Sequence, residues 1–282
     1  MAHPSITIRS ALLACLLAAS QTASHGAEES VRVVFQNGRS IPITSLALQG
    51  DKLVLLTEFE TFKVGHTFAF TSADHVYGVK PAAIKQAVTL LLAGKPKDAE
   101  KLLEPVVSEQ RITGKIPGNF WLEAARAMLV AYAVNGQSKE CGEIGKEISE
   151  ATPAQGVDPF VSLGKALLMP VTAKADDREA ALRDLTTDNL PADVCAYASF
   201  FRGNLFKKEK RNPEALEAYL DVSCRFPSGG LAVMAASEVQ AAELLILLGR
   251  RDEATALLRS AARDGVGTVL VADVNKRLES LK

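Results

Sequence analysis

The stretch Gly203-Asn204-Leu205-Phe206 to Phe226-Pro227, GNLFKKEKRNPEALEAYLDVSCRFP in full, decides how this chain folds. Small and apolar residues recur at helical spacing on both sides of a charged break, Lys207-Lys208-Glu209-Lys210-Arg211. The spacing predicts two helices, 192–207 and 213–224, joined by a solvated turn. Ala215 falls near the start of the second helix, where antiparallel helices cross closely and a larger side chain would push them apart.

The same small residue recurs along the chain. Ala99, Cys141, Ala180, Ala215 and Ala254 stand 42, 39, 35 and 39 residues apart, each near the start of a second helix. From Pro81 onward the apolar period is about 3.6, and Ala and Leu replace β-branched residues. The first pair carries Ile84, Ala87, Val88 and Leu91, then Ala99, Leu102, Leu103 and Val106, interrupted by Gly94-Lys95-Pro96. Asn119 is the expected N-cap of a helix with Trp121, Ala125, Met128 and Tyr132, which Asn135-Gly136 ends before Cys141, Ile144 and Ile148. Later pairs are 160–168 with 178–185, shortened by Pro170, then 192–207 with 213–224, and 232–248 with 252–262. A helix over 269–281 caps the array. Each pair buries one side only, so neighbours must stack to bury the rest, and the stack curves.

Gly203, Phe206, Ala215, Tyr219 and Pro227 stand at spacings of three, nine, four and eight residues, a pattern that resembles the tetratricopeptide repeat (TPR). The resemblance covers roughly 81–280 and is best in this unit. It implies that Gly203 permits close helix approach, that Phe206 and Tyr219 fill the groove between helices, and that Pro227 ends the second helix. Ser199 and Arg202 depart from the pattern, as do Cys141 and Gly145 in the second pair, where Tyr132 and Pro153 fit. The resemblance further implies a concave face that binds protein or peptide. Carried over from Gly203, it points to Tyr197, Phe200, Asn204 and Lys207, and in the second unit to Glu123 and Arg126.

Residues 31–80 read differently. Val31, Val33 and Phe35 alternate with polar neighbours, Asn37-Gly38 supplies a hairpin turn, and Gln49-Gly50-Asp51 supplies a second. Leu53 to Leu56 and an alternating run from Thr61 to Phe70 give four or five short strands, with Pro42 expected at an edge. The composition suits a small sheet or partly open barrel packed against the first helices. The fold class is therefore α+β: mainly α, an array of antiparallel helix pairs over 81–282, preceded by a small all-β unit.

Arg9 and Ser10 precede an apolar run from Ala11 to Ala19, followed by small residues, the pattern of a signal peptide over 1–26. The expected location is the periplasm or the exterior of a bacterium. Leu12-Leu13-Ala14-Cys15 offers lipid anchoring as the alternative. With 32 basic against 33 acidic residues there is no electrostatic case for nucleic acid. His66 and His75 lack partners at metal-ligand spacing, and no catalytic constellation is legible, so neither a metal, a cofactor nor an enzymatic activity is expected. Ser228-Gly229-Gly230 lacks the lysine of a phosphate-binding loop and reads as a turn between units.

In an exported chain Cys195 and Cys224 lie at neighbouring ends of one helix pair, fifteen residues before and fourteen after Lys210, which permits a disulfide or two free thiols. Cys141 reads as a small core residue. The function these features favour is an interaction scaffold of the cell envelope that binds a protein or peptide. The alternatives are glycan or small-ligand binding through the β unit, or a lipid-anchored component of envelope assembly.

Overall fold

A computed structural model describes residues 30–152, 156–170 and 172–281. The expected leader, Cys15 within it, and Pro153 lie outside them.

Six short strands occupy the first described segment: β1 (Arg32–Phe35), β2 (Ser40–Pro42), β3 (Leu46–Gln49), β4 (Lys52–Leu55), β5 (Thr67–Ala69) and β6 (Ala73–Tyr77). They form two three-stranded antiparallel sheets, ordered β2-β1-β6 and β3-β4-β5. Gly38 makes the expected first turn at φ 79°, a conformation that costs glycine little. Pro42 ends the edge strand β2. The strand expected over Thr61 to Phe70 shrinks to Thr67–Ala69. Gly65, at φ 83°, donates to the Leu55 carbonyl and His66 to that of Lys63, so the alternating residues ahead of β5 are spent on a turn. Alternating side chains, among them Val33, Ile41, Leu53 and Val76, make one apolar core. Ile116, from the loop before the third helix, enters this core at 1% exposure, and the Val76 amide donates to the Pro117 carbonyl. The β unit thus docks chiefly on the connection over 111–120.

Eleven α-helices follow among the described residues: α1 (Ala82–Leu92), α2 (Pro96–Gln110), α3 (Trp121–Val134), α4 (Ser138–Ala151), α5 (Pro159–Leu167), α6 (Ala175–Arg183), α7 (Ala192–Lys208), α8 (Asn212–Arg225), α9 (Leu231–Leu247), α10 (Arg251–Asp264) and α11 (Leu270–Ser280). The first ten make five antiparallel pairs, and α11 closes the end against α10 and α9. Ala99, Ala215 and Ala254 are fully buried at the crossings and Cys141 nearly so. Asn119 caps α3, its Oδ1 accepting from the Leu122 amide at 2.9 Å. The third pair is the weakest: α6 buries only Leu182, and Ala180 is half-buried.

Four of the five turns inside pairs share one device. The amides of Lys95, Gln137, Arg211 and Arg250 each reach back to the carbonyl five residues earlier, closing the first helix with its next-to-last turn residue in the left-handed region. That residue is Gly94, Gly136 or Gly249 in three turns, and Lys210, at φ 63°, in the fourth.

Burial separates two layers. Helix α7 buries eleven of its 17 residues, all round its circumference, whereas α10 buries only Ala254, Leu258 and Ala261, one stripe at helical spacing. The first helices of the pairs, α1, α3, α5, α7 and α9, therefore form an inner layer, and the second helices cover them. The inner layer closes on itself, because α1 packs against α9 as well as α3. Lys85 of α1 reinforces the closure by donating to the Val266 carbonyl at 2.6 Å. No helix of the described residues is long and apolar enough to cross a membrane.

Candidate functional site

Because every inner helix is followed by an antiparallel partner, the inner helices run parallel and their N-termini open on one side. A cavity of about 560 Å³ lies at that mouth and takes residues from all five inner helices. Its apolar wall includes Val88, Ala127, Phe160 and Val233, and its polar side chains are Lys80, Lys85, Glu123, Arg126, Asp193, Tyr197 and Ser228.

Three of these helices carry their own acid in the first turn or cap, as the partial positive charge of a helix start favours. Glu123 opens α3 and pairs with Lys80 at 2.7 Å. Asp158, fully buried, caps α5 by accepting from the Phe160 amide at 3.0 Å. Asp193 opens α7. Arg126 joins these starts: its guanidinium donates to Asp158 at 2.6 Å, stands 3.6 Å from Asp193 and lies 5.1 Å from the centre of the Phe160 ring. A buried carboxylate without such a partner would be costly, so Arg126 positions three helices at once.

The other two starts lack this compensation. Helices α1 and α9 have neither an acid in the first turn nor a capping side chain. The Leu231, Ala232 and Val233 amides, all at the cavity, make no hydrogen bond among the described residues. Gly229 and Gly230 precede them. A Cβ on Gly229 would stand 2.5 Å from that of Ala196 and 2.7 Å from the Ala192 carbonyl, so only glycine fits, and Gly230 sits at φ 117°. Across the cavity Tyr197 is 8% exposed, its ring edge-on to Phe160 at 5.5 Å. Its hydroxyl has no hydrogen-bond partner among the described residues. Burial, with Glu123 and Asp193 adding to it, pushes its ionisation far above the usual tyrosine range.

The structure thus brings together Tyr197, Glu123 and Arg126, but not Asn204 and Lys207. Lys207 lies ten residues along α7 from Tyr197, about 15 Å at the α-helical rise, and both side chains are spent internally. Asn204 accepts from the Tyr219 hydroxyl at 2.7 Å. Lys207 binds Gln240 and Glu243 of α9, and Glu243 also binds Arg277 of α11. Burial works against Glu243 ionising, yet these two cations hold its carboxyl below the usual range. Phe200 is core, at 1% exposure. Among the described residues no open concave groove runs between these positions, because the inner layer is closed.

The repeat residues pack together. Gly203 faces Tyr219, Ala215 is fully buried, Phe206 is 5% exposed, and Pro227 follows the end of α8 by two residues. The disulfide left open by the sequence is not formed. Cys195 is buried, its thiol 3.5 Å from the Thr187 carbonyl, whereas Cys224 is exposed. Cys224 stands two positions after the fully buried Val222, which turns it to the opposite side of α8. Among the described residues no three His, Cys, Asp or Glu side chains are placed to hold a metal. His75 pairs with Asp74 at 2.8 Å on the surface, and His66 lies tilted against Phe62 and edge-on to Phe68.

Lys80, Lys85, Phe160 and Asp193 escape a reading by repeat pattern, since Phe160 and Asp193 meet Arg126 across neighbouring inner helices, Lys80 meets Glu123, and Lys85 reaches the Val266 carbonyl beyond α10. The recurrence of an acid at successive inner-helix starts was the available signal.

No family model matches the chain, and no curated protein matches it. Among solved structures, a thermophilic TPR protein of Thermus thermophilus is similar at 18% identity with a TM-score of 0.40, over 72% of this chain and 98% of that one.

Proposed function

We propose that the protein is a non-enzymatic interaction scaffold, exported to the cell envelope, that engages a protein or peptide partner at the mouth of its inner helix layer. One observation carries this reading: five parallel helix starts converge on a single opening, which is lined by an apolar wall and by amides unpaired among the described residues. Such a combination gives both contact area and orientation to an incoming chain. Export rests on the leader-like residues 1–26. A closed inner layer leaves a partner no groove to thread, so the mouth and its rim are the contact surface.

Photo-crosslinking in the native envelope tests it. A photoreactive residue in place of Ala232 is expected to capture a reproducible partner, while the same residue in place of Asn204 captures none. Capture only from position 204, or from neither, refutes the proposal.

A further inference from the structure

The cavity at the mouth is electrically lopsided. Around α3, α5 and α7 every helix start is matched by its own acid, and those acids are matched in turn by Lys80 and Arg126. Around α1 and α9 no acid in the first turn or cap answers the helix starts. That side also holds Lys85, whose ammonium meets a carbonyl, Val266, and no carboxylate among the described residues. An oxyanion placed there would accept from the Leu231, Ala232 and Val233 amides and lie beside a lysine, an arrangement that favours negative charge.

A helix start alone would not define a ligand, but the Tyr197 hydroxyl points the same way. It belongs to a side chain more than nine-tenths buried, lines the same cavity, and has no partner among the described residues. At the cavity that hydroxyl is free to donate to a ligand. The rest of the lining is Ser228, the ion-paired Lys80, Glu123, Arg126 and Asp193, and the apolar Val88, Ala127, Phe160 and Val233. Closure of α1 on α9 walls the cavity on that side, and its size lies within the range of small-molecule sites.

We infer that the mouth cavity binds a small organic carboxylate with an apolar body, its carboxylate on the N-terminus of α9 and beside Lys85, its body against Phe160 and Val88. Tyr197 donates to the ligand. The ligand seats inside the opening that the partner covers, so the scaffold carries a small molecule to its contact surface. This rests on the reading of the mouth as the binding end, but needs no particular partner.

The test is calorimetric titration of the full folded chain with phenylacetate, with phenylacetamide, and with a short peptide ending in phenylalanine and a free carboxylate. Phenylacetate is expected to bind saturably, and the uncharged amide at least about tenfold more weakly. Lys85→Gln and Tyr197→Phe, each checked for unchanged thermal unfolding, are expected to weaken phenylacetate several-fold. Equal binding of acid and amide, absence of saturable binding of phenylacetate, or parent-like binding by both variants overturns the inference. Binding of the peptide without phenylacetate also overturns it, assigning the seat to a partner's chain end. Crosslinks at position 232 without phenylacetate binding refute this inference alone; phenylacetate binding without crosslinks refutes only the scaffold reading.

Discussion

Gly203 of α7 lies flat against the ring of Tyr219 in α8: a Cβ built on Gly203 would stand 2.5 Å from Cε1 and 2.6 Å from Cδ1. Tyr219 is held there at 1% exposure by its own hydrogen bond to Asn204. Close approach of the two helices and seating of the ring are therefore one feature. Gly203→Ala gains about 1 kcal/mol of helix propensity but incurs an overpacking cost of about 1–3 kcal/mol. A net loss of about 1 kcal/mol is expected by urea unfolding. Because the clash is with the ring, Tyr219→Leu in the Gly203→Ala background should cost less than in the parent, a coupling read by a double-mutant cycle.

Lys210 holds the left-handed turn position that Gly94, Gly136 and Gly249 hold in three other pairs. A side chain there costs about 1 kcal/mol relative to glycine. Lys210→Gly is expected to raise stability by about 0.5–1 kcal/mol despite the added freedom of the unfolded chain. A lower unfolding midpoint would contradict the assignment of this turn.

Glu238 of α9 is 5% exposed, with one carboxylate oxygen lacking a hydrogen-bond partner. Burial pushes its carboxyl up to about 7; Asp264 adds to the rise, while Ser260 and Arg263 oppose it. A carboxyl that holds its proton more tightly when folded stabilises the fold at low pH. That contribution is fully present below the ordinary glutamate value of 4.5 and is lost as pH rises through about 7. The loss is expected to be about 2 kcal/mol, after discounting for partial access of water. Glu238→Gln should flatten the difference between wild-type stability at about pH 5 and about pH 8. An equal slope in both proteins would show that Glu238 ionises freely.

The thiols should differ sharply in reactivity. Burial pushes Cys141 and Cys195 up from the usual thiol range, and both are enclosed, whereas Cys224 is exposed. Peptide mapping after brief alkylation of the native protein should find Cys224 modified and the other two intact until unfolding. A Cys195–Cys224 disulfide in protein kept under oxidising conditions would overturn the separation of the two side chains seen in this fold.

Much of the helical architecture was legible because its causes are local. The 3.6-residue period, the glycine turns and the small crossing residues each act within one pair, so the five pairs could be read off Ala99, Cys141, Ala180, Ala215 and Ala254, and the capping helix off the period, although Ala180 is only half-buried. The β strands were legible where alternation met a glycine turn. They were overread between Thr61 and Phe70, where Gly65 makes a turn that alternation alone does not reveal. The structure gathers some of the candidate residues and not others. Glu123, Arg126 and Tyr197 lie at the starts of inner helices and meet at the mouth, as a shared face implies. Asn204 and Lys207 do not join them, and the contact of α1 with α9, nearly 150 residues apart in sequence, closes the face on which a groove would run. A long-range closure of that kind leaves no periodic trace.

Residue-resolved amide hydrogen exchange on the scaffold with its captured partner tests the central claim most directly. The account predicts new protection at Leu231, Ala232 and Val233 and over 121–126, the helix starts that line the mouth, with 204–208 unchanged. Protection confined to 204–208, to the outer helices or to the β unit would contradict it.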